Sequence, residues 1–277
     1  MKKSIFTILL ILCIMLASSC TFGGGGKNGG SIMALGSTSV QPYAEMLAQE
    51  YDRLYKKEVR VSGGGSSHGI KSAIAGETDI GTSSSKLKDD VKGQGLWYVE
   101  IAKDGLAVVV HENNPVSGLS IEQVKKIYSG EITNWKDVGG DDHKIHLISR
   151  EEGSGTREAF EKLVMKDIHI TNKSMVQPAN GSMGYQVSGD KNAIGFISLG
   201  LVEKYKVKAL MLDGVIPSHD TVEDGSYKLT RPFLFVTKGE PEGAVLDFIN
   251  FVQSDEGQNL LVSKGLSPGD GKPAKPH

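Results

Sequence analysis

The chain is poor in cysteine, with two in 277 residues. Cys13 lies inside an apolar N-terminal run and Cys20 just beyond it. Once such a leader is removed, one cysteine remains at the extreme N-terminus, and no internal disulfide can hold the fold. Aromatic residues are also scarce, at 6%. Trp97, Trp135 and the scattered tyrosines read as core or surface residues rather than a base-stacking platform. Neither sign of charge dominates, with 31 Lys and Arg against 33 Asp and Glu. That balance excludes a basic polynucleotide binder, so no nucleic-acid partner is expected. None of His68, His111, His143, His146, His169, His219 and His277 has metal-ligand spacing, and neither a metal nor a cofactor is expected. No Gly-x-Ser-x-Gly surrounds Ser154, so a hydrolase elbow is unsupported. In Gly64 to Lys71, Ile70 separates Gly69 from Lys71, which breaks the Walker spacing. No catalytic residue is assigned.

What is present begins with a targeting pattern. Lys2 and Lys3 precede an apolar run from Ile5 to Leu16 that is too short to span a bilayer as a mature helix. Ala17-Ser18-Ser19-Cys20 then reads as a lipobox, with Ala17 where leucine is more usual. Residues 1–20 are thus expected to be a lipoprotein signal with lipidated Cys20, and the glycine-rich residues 21–30 a tether. Loss of Lys2 and Lys3 takes two positive charges from the formal charge of −2, leaving −4. A mildly acidic protein that binds an anion must do so through local donors.

The stretch from Arg150 through Thr156 reads as an oxyanion cradle. A strand-like His146 to Ser149 precedes it, and Phe160, Leu163 and Val164 follow on one helical face. The first N–H groups of a helix lack intrahelical partners, and the helix dipole is positive there. Ser154 and Thr156 add hydroxyls, Gly155 permits close approach, and Arg150 brings a planar fork of charged donors. Helix capping would account for Ser154 or Thr156, but not for the arginine beside them. Gly36 to Pro42 and Ser62 to Lys71 are two more Ser/Thr/Gly turns leading from strand to helix. Several such helix starts can converge on one cleft.

The remainder alternates strand and helix. Apolar strands are expected at 32–35, 59–61, 79–81, 105–110, 144–149, 193–197, 207–210 and 232–236. Helices are expected at 42–56, from Ser120 to near Gly130, from Pro241 to about Val252 and from Glu256 to Lys264. The fold class is α/β, and about 247 residues after the tether suffice for two cores.

These pieces resemble the phosphate-binding component of the Pst phosphate ABC transporter, among the type II periplasmic binding proteins. The matching runs are Gly36-Ser37-Thr38 with Pro42, Gly65 to Lys71, Thr78 to Ser84, Arg150 to Thr156, Asn180 to Gly184 and Ala193 to Phe196. They keep the family's order over nearly all of the chain after residue 30, and Arg-x-x-Gly-Ser-Gly-Thr is the most specific. The resemblance implies two lobes joined by two crossover strands, placed near Val108–His111 and Arg231–Val236. Residues 31–108 with 232–268 would form lobe 1, residues 109–231 lobe 2, and residues 269–277 a flexible tail.

The resemblance also implies a non-enzymatic, monomeric receptor. It would capture inorganic phosphate between its lobes, deliver it to ABC transporter permease subunits, and be held to the membrane outside the cytoplasm by its lipid. Thr38, Ser39 and Ser66 would bind from one lobe, with Ser67 a lesser candidate, and Arg150, Ser154, Gly155 and Thr156 from the other. Glu152 stands where relatives carry a carboxylate that orients the arginine, although a solvated first-turn acid fits that position equally well. Ser84 stands where many relatives have an aspartate that accepts the proton of hydrogen phosphate. Either weaker exclusion of sulfate or exclusion that rests on another acceptor is therefore expected, and tungstate, molybdate or sulfate remain alternative ligands. A secreted phosphate-releasing hydrolase with Ser154 as nucleophile is the less favoured alternative.

Overall fold

The computed structural model describes residues 31–271. The expected leader, Cys20, the tether and residues 272–277 of the expected tail lie outside the described residues. From Ser31 onward the chain forms one compact unit.

The first half of the fold alternates strand and helix. Strand β1 (Ile32–Gly36) leads to helix α1 (Gln41–Tyr55), which carries Pro42 in its first turn and ends at left-handed Lys56. Its buried face is Tyr43, Ala44, Leu47, Ala48 and Tyr51. Then come β2 (Val59–Gly63), α2 (Ser66–Ala75) and β3 (Ile80–Ser83). Strand β4 runs sixteen residues, Leu96–His111. Helix α3 (Ile121–Ser129) opens on a Ser120/Gln123 capping box and stops at left-handed Gly130.

The second half continues with β5 (His146–Arg150), the short α4 (Gly155–Phe160), β6 (Met175–Gln177), α5 (Asn180–Ser188), β7 (Ala193–Ser198) and β8 (Val207–Ala209). Strand β9 (Thr230–Lys238) and helices α6 (Gly243–Gln253) and α7 (Asp255–Val262) close the chain.

The strands form a mixed sheet in the order β2-β1-β3-β9-β4-β7-β5-β6, with β8 added to β4. Neighbours β1/β2, β1/β3, β5/β7 and β5/β6 are parallel, whereas β9 is antiparallel to both β3 and β4. Strand β4 is shared. Leu96 to Gly105 pairs with β9, and Leu106 to Val110 pairs with β7. The change of partner falls between Gly105 and Leu106, ahead of the crossover expected near Val108–His111. The reason is the mixed stretch before it, where Glu100, Lys103 and Asp104 interrupt the apolar run and hide the strand's true start.

Apolar side chains divide at the same place. Leu106 to Val110 join Tyr128, Phe160, Ile194 and Phe196 in one core, while Ile101 and Ala102 join Leu47, Phe233, Phe235 and Phe248 in another. Two packed bodies with shared strands between them are a two-lobed α/β architecture. Helix α5 was not among the expected helices. Gly181, Ser182, Gly184 and Ser188 dilute its apolar face, and Gly184 is needed because a Cβ there would lie 2.5 Å from the Tyr205 ring.

Candidate functional site

Four helix starts meet where the two bodies touch. They follow Val40, Gly65, Ser154 and Ala179. Thr38, just before α1, accepts from the Arg150 Nη2 donor at 3.1 Å and from the Asn180 N–H at 3.2 Å. Ser39 Oγ lies 2.7 Å from Thr156 Oγ1. The Ser67 N–H donates to Gly153 O at 3.1 Å. Ser66 Oγ accepts from the Ser84 N–H at 3.1 Å and lies 3.4 Å from Ser84 Oγ, which accepts from Ser37 Oγ at 2.9 Å. A Cβ on Gly155 would fall 2.2 Å from Ser66 Oγ and 2.8 Å from Ser84 Oγ. Only glycine lets these two hydroxyls come so near the start of α4.

Arg150, at the end of β5, is 1% exposed. Its Nε and Nη2 both donate to the Glu151 carboxylate at 2.9 Å, and Nε also donates to Gln177 O at 3.1 Å. Nη1 is buried and has no partner among the described residues. The orienting carboxylate is therefore Glu151, and the expectation for Glu152 is corrected. The Ser154 N–H donates to Glu151 O at 3.3 Å, so Glu152 and left-handed Gly153 are the central pair of a tight turn. That turn carries Glu152 into solvent.

The structure thus gathers Thr38, Ser39, Ser66, Ser84, Arg150, Gly155 and Thr156 at one place. Ser154 is buried there too, but its hydroxyl accepts from the Arg157 N–H at 3.3 Å and serves as the helix cap. Ser67 lies on the seam against Gly153 and offers no backbone donor beyond the one Gly153 already takes. Asp79 accepts from the Met33 N–H at 2.9 Å, in keeping with a turn role.

Sequence reasoning missed a second buried arginine. Arg231 Nη1 donates to Thr156 Oγ1 at 2.7 Å, and its Nε donates to Asp104 Oδ2 at 2.9 Å. Arg231 and Asp104 face each other in the β9/β4 register. Ser198 Oγ donates to the other Asp104 oxygen at 2.8 Å, and Tyr43 Oη lies 3.3 Å from Ser198 Oγ. Burial raises the Asp104 carboxyl above its ordinary range, opposed by the Arg231 guanidinium and the Ser198 hydroxyl. Only the single charge of Arg231 beside the apolar run Pro232 to Val236 offered a signal in the sequence.

Both guanidinium charges are matched by a carboxylate, so the cleft's attraction for an anion comes from fixed N–H and O–H donors. Among the described residues no group of three His, Cys, Asp or Glu could hold a metal ion. Likewise, no helix among them is long and apolar enough to cross a membrane. Such a ring of donors, closed from two sides, suits a small tetrahedral oxyanion.

The PBP superfamily domain matches residues 23–256. The phosphate-binding protein PstS of Staphylococcus haemolyticus is 32% identical over 275 residues, covering 88% of this chain and 86% of its own. The chain belongs to the PstS family. PstS of Bacillus subtilis (strain 168) is 28% identical over 280 residues, with 95% and 93% coverage. Among solved structures, a Clostridium perfringens protein described as a phosphate ABC transporter substrate-binding protein with bound phosphate is 40% identical. Its TM-score is 0.83, covering 86% of this chain and 99% of that one. An ABC-type phosphate transport receptor from Vibrio cholerae is 36% identical with a TM-score of 0.72. Family membership and the two-lobed fold agree with the resemblance drawn from the sequence.

Proposed function

We propose that this protein is an extracytoplasmic receptor that captures inorganic phosphate between its lobes and delivers it to the permease of an ABC transporter. The observation that carries this reading is the buried, unpartnered Nη1 of Arg150, whose guanidinium is held by Glu151 and Thr38 at the place where the helix starts meet. A charged donor with no partner in the chain is suited to an anion that completes it. Thr38, Ser39, Ser66, Ser84, Arg150, Gly155 and Thr156 are the proposed binding residues, with Ser154 contributing through the helix start it caps. Each hydrogen bond to a charged group contributes about 1.5–3 kcal/mol. A handful therefore supports micromolar or tighter binding, about −8 kcal/mol, after the costs of closure.

The lobes in this reading are residues 31–105 with 232–268, and 106–231, since Leu106 to Val108 pack with the second body rather than the first as expected. Lipidated Cys20 would anchor a monomer to the membrane. The relatives' names support a transport receptor rather than an enzyme. The engagement of the Ser154 hydroxyl in capping weighs further against a nucleophile. Ser84 supports one second reading, a receptor for sulfate, tungstate or molybdate, because a hydroxyl repels a deprotonated oxyanion less than a carboxylate would. Calorimetric titration of residues 31–277 with phosphate, sulfate and tungstate tests both. Tight one-to-one phosphate binding with sulfate silent is expected. Preference for another oxyanion changes the ligand, and binding of none overturns the receptor.

A further inference from the structure

We propose that Asn180 is a specificity-determining residue of this oxyanion site. In this assignment its carboxamide oxygen accepts the proton of a hydrogen phosphate, and its NH2 group donates to a neighbouring phosphate oxygen. This rests on the phosphate-receptor reading above.

Asn180 is fully buried, and neither Nδ2 nor Oδ1 has a partner among the described residues. An amide buried with both ends unmet is costly, so native structures rarely keep one without a use. Its position identifies the use. The Asn180 N–H donates to Thr38 Oγ1, the same oxygen that accepts from Arg150 Nη2. The other terminal nitrogen of Arg150 is also buried and unpartnered. One hydroxyl thus joins two residues whose free donors and acceptor await a third party.

Helix capping does not account for the side chain. The cap position is Ala179, one residue earlier, and its N–H is taken by Ser182 Oγ at 3.2 Å.

The site has no other acceptor suited to reading a proton. Glu151 is engaged by Arg150, and Asp104 by Arg231 and Ser198. Serine and threonine hydroxyls rotate to donate or accept, so they do not discriminate. A carboxamide in a buried slot does, because one end only accepts. Hydrogen phosphate can satisfy it with P–OH, whereas sulfate at neutral pH has no proton to offer and leaves Oδ1 unmet. Unlike a carboxylate, the amide adds no negative charge beside the anion, so phosphate is kept without added repulsion.

The test is calorimetric titration of the full-length protein with phosphate and with sulfate, for wild type, Asn180→Asp and Asn180→Leu. In Asn180→Leu, phosphate affinity should fall by about ten- to a hundredfold and sulfate affinity by less, so the phosphate-to-sulfate ratio drops. In Asn180→Asp the ratio should rise, because the carboxylate repels an anion that brings no proton. Phosphate-binding wild type with both variants within about twofold of its ratio overturns the inference alone, since an unsatisfied acceptor is worth more than that. Wild type that binds neither anion overturns the receptor reading as well. Failure of both variants to fold also counts against the proposal, because a side chain that bonds nothing in the chain would then be holding the fold.

Discussion

Replacing Arg150 by methionine separates ligand binding from folding. The apolar stem is kept and the charged fork is lost. Truncating one member of a buried, hydrogen-bonded charge pair costs about 2–5 kcal/mol of affinity. With about 1.4 kcal/mol per tenfold, phosphate Kd should rise about thirtyfold to several thousandfold. The fold should lose little by comparison. Glu151, whose side chain is 29% exposed, can return to water when its partner goes, and the guanidinium's unpartnered Nη1 disappears.

Differential scanning calorimetry with and without phosphate reads both effects. At about a hundred times Kd, ligand adds about 2.7 kcal/mol to wild-type stability. At about 2–4 °C per kcal/mol for a body of this size, its Tm should rise by about 5–11 °C. A variant weakened about a hundredfold gains about 0.4 kcal/mol at the same concentration, or about 1 °C. A full phosphate-induced shift in Arg150→Met would refute the reasoning, because it would mean that the buried arginine does not meet the anion.

Other substitutions probe the frame around the site. Asp104→Ala strands the Arg231 charge and should destabilise by about 3–5 kcal/mol, lowering Tm by about 6–20 °C. Combined Asp104→Leu and Arg231→Met should recover most of that, and a single-variant drop under about 2 °C in thermal unfolding would contradict the pair's importance. Gly155→Ala places a Cβ 2.2 Å from Ser66 Oγ. Because Gly155 and Ser66 belong to opposite lobes, that overlap opposes closure: phosphate should weaken by about tenfold or more in titration, while lobes free to separate should leave Tm nearly unchanged in phosphate-free buffer.

Glu158 is partly buried, and burial raises its carboxyl above the ordinary range against the pull of Lys88 and Ser85. Its ionised form therefore opposes folding above the raised pKa, and that opposition vanishes below the unfolded value. Glu158→Gln should raise Tm at neutral pH more than at acid pH, and equal gains at both would show that burial is not the cause.

The parts of the site that were legible in the sequence are those built from local chemistry. Gly36 to Thr38, Ser66 and Arg150 to Thr156 announce themselves because small hydroxyl residues at a strand–helix junction have few other uses. Glu151 was less legible than Glu152, since which of two adjacent carboxylates turns inward depends on the tight turn that Gly153 closes. Arg231 and Asp104 stand 127 residues apart and meet only through antiparallel register, which no local pattern encodes. Asn180 begins a helix whose Gly and Ser residues leave little periodicity to read. Its distinguishing property, an amide that bonds to nothing in the chain, exists only once the tertiary fold has buried it.

The unpartnered groups of Arg150 and Asn180 also bear on the energy economy of uptake. Lobes that shut without cargo would trap two desolvated residues with nothing to bond, which is unfavourable. In the proposed receptor, vacancy would thereby favour the spread form, and shutting would report that cargo is aboard. A permease that responds only to the shut form would then be spared idle rounds of ATP hydrolysis.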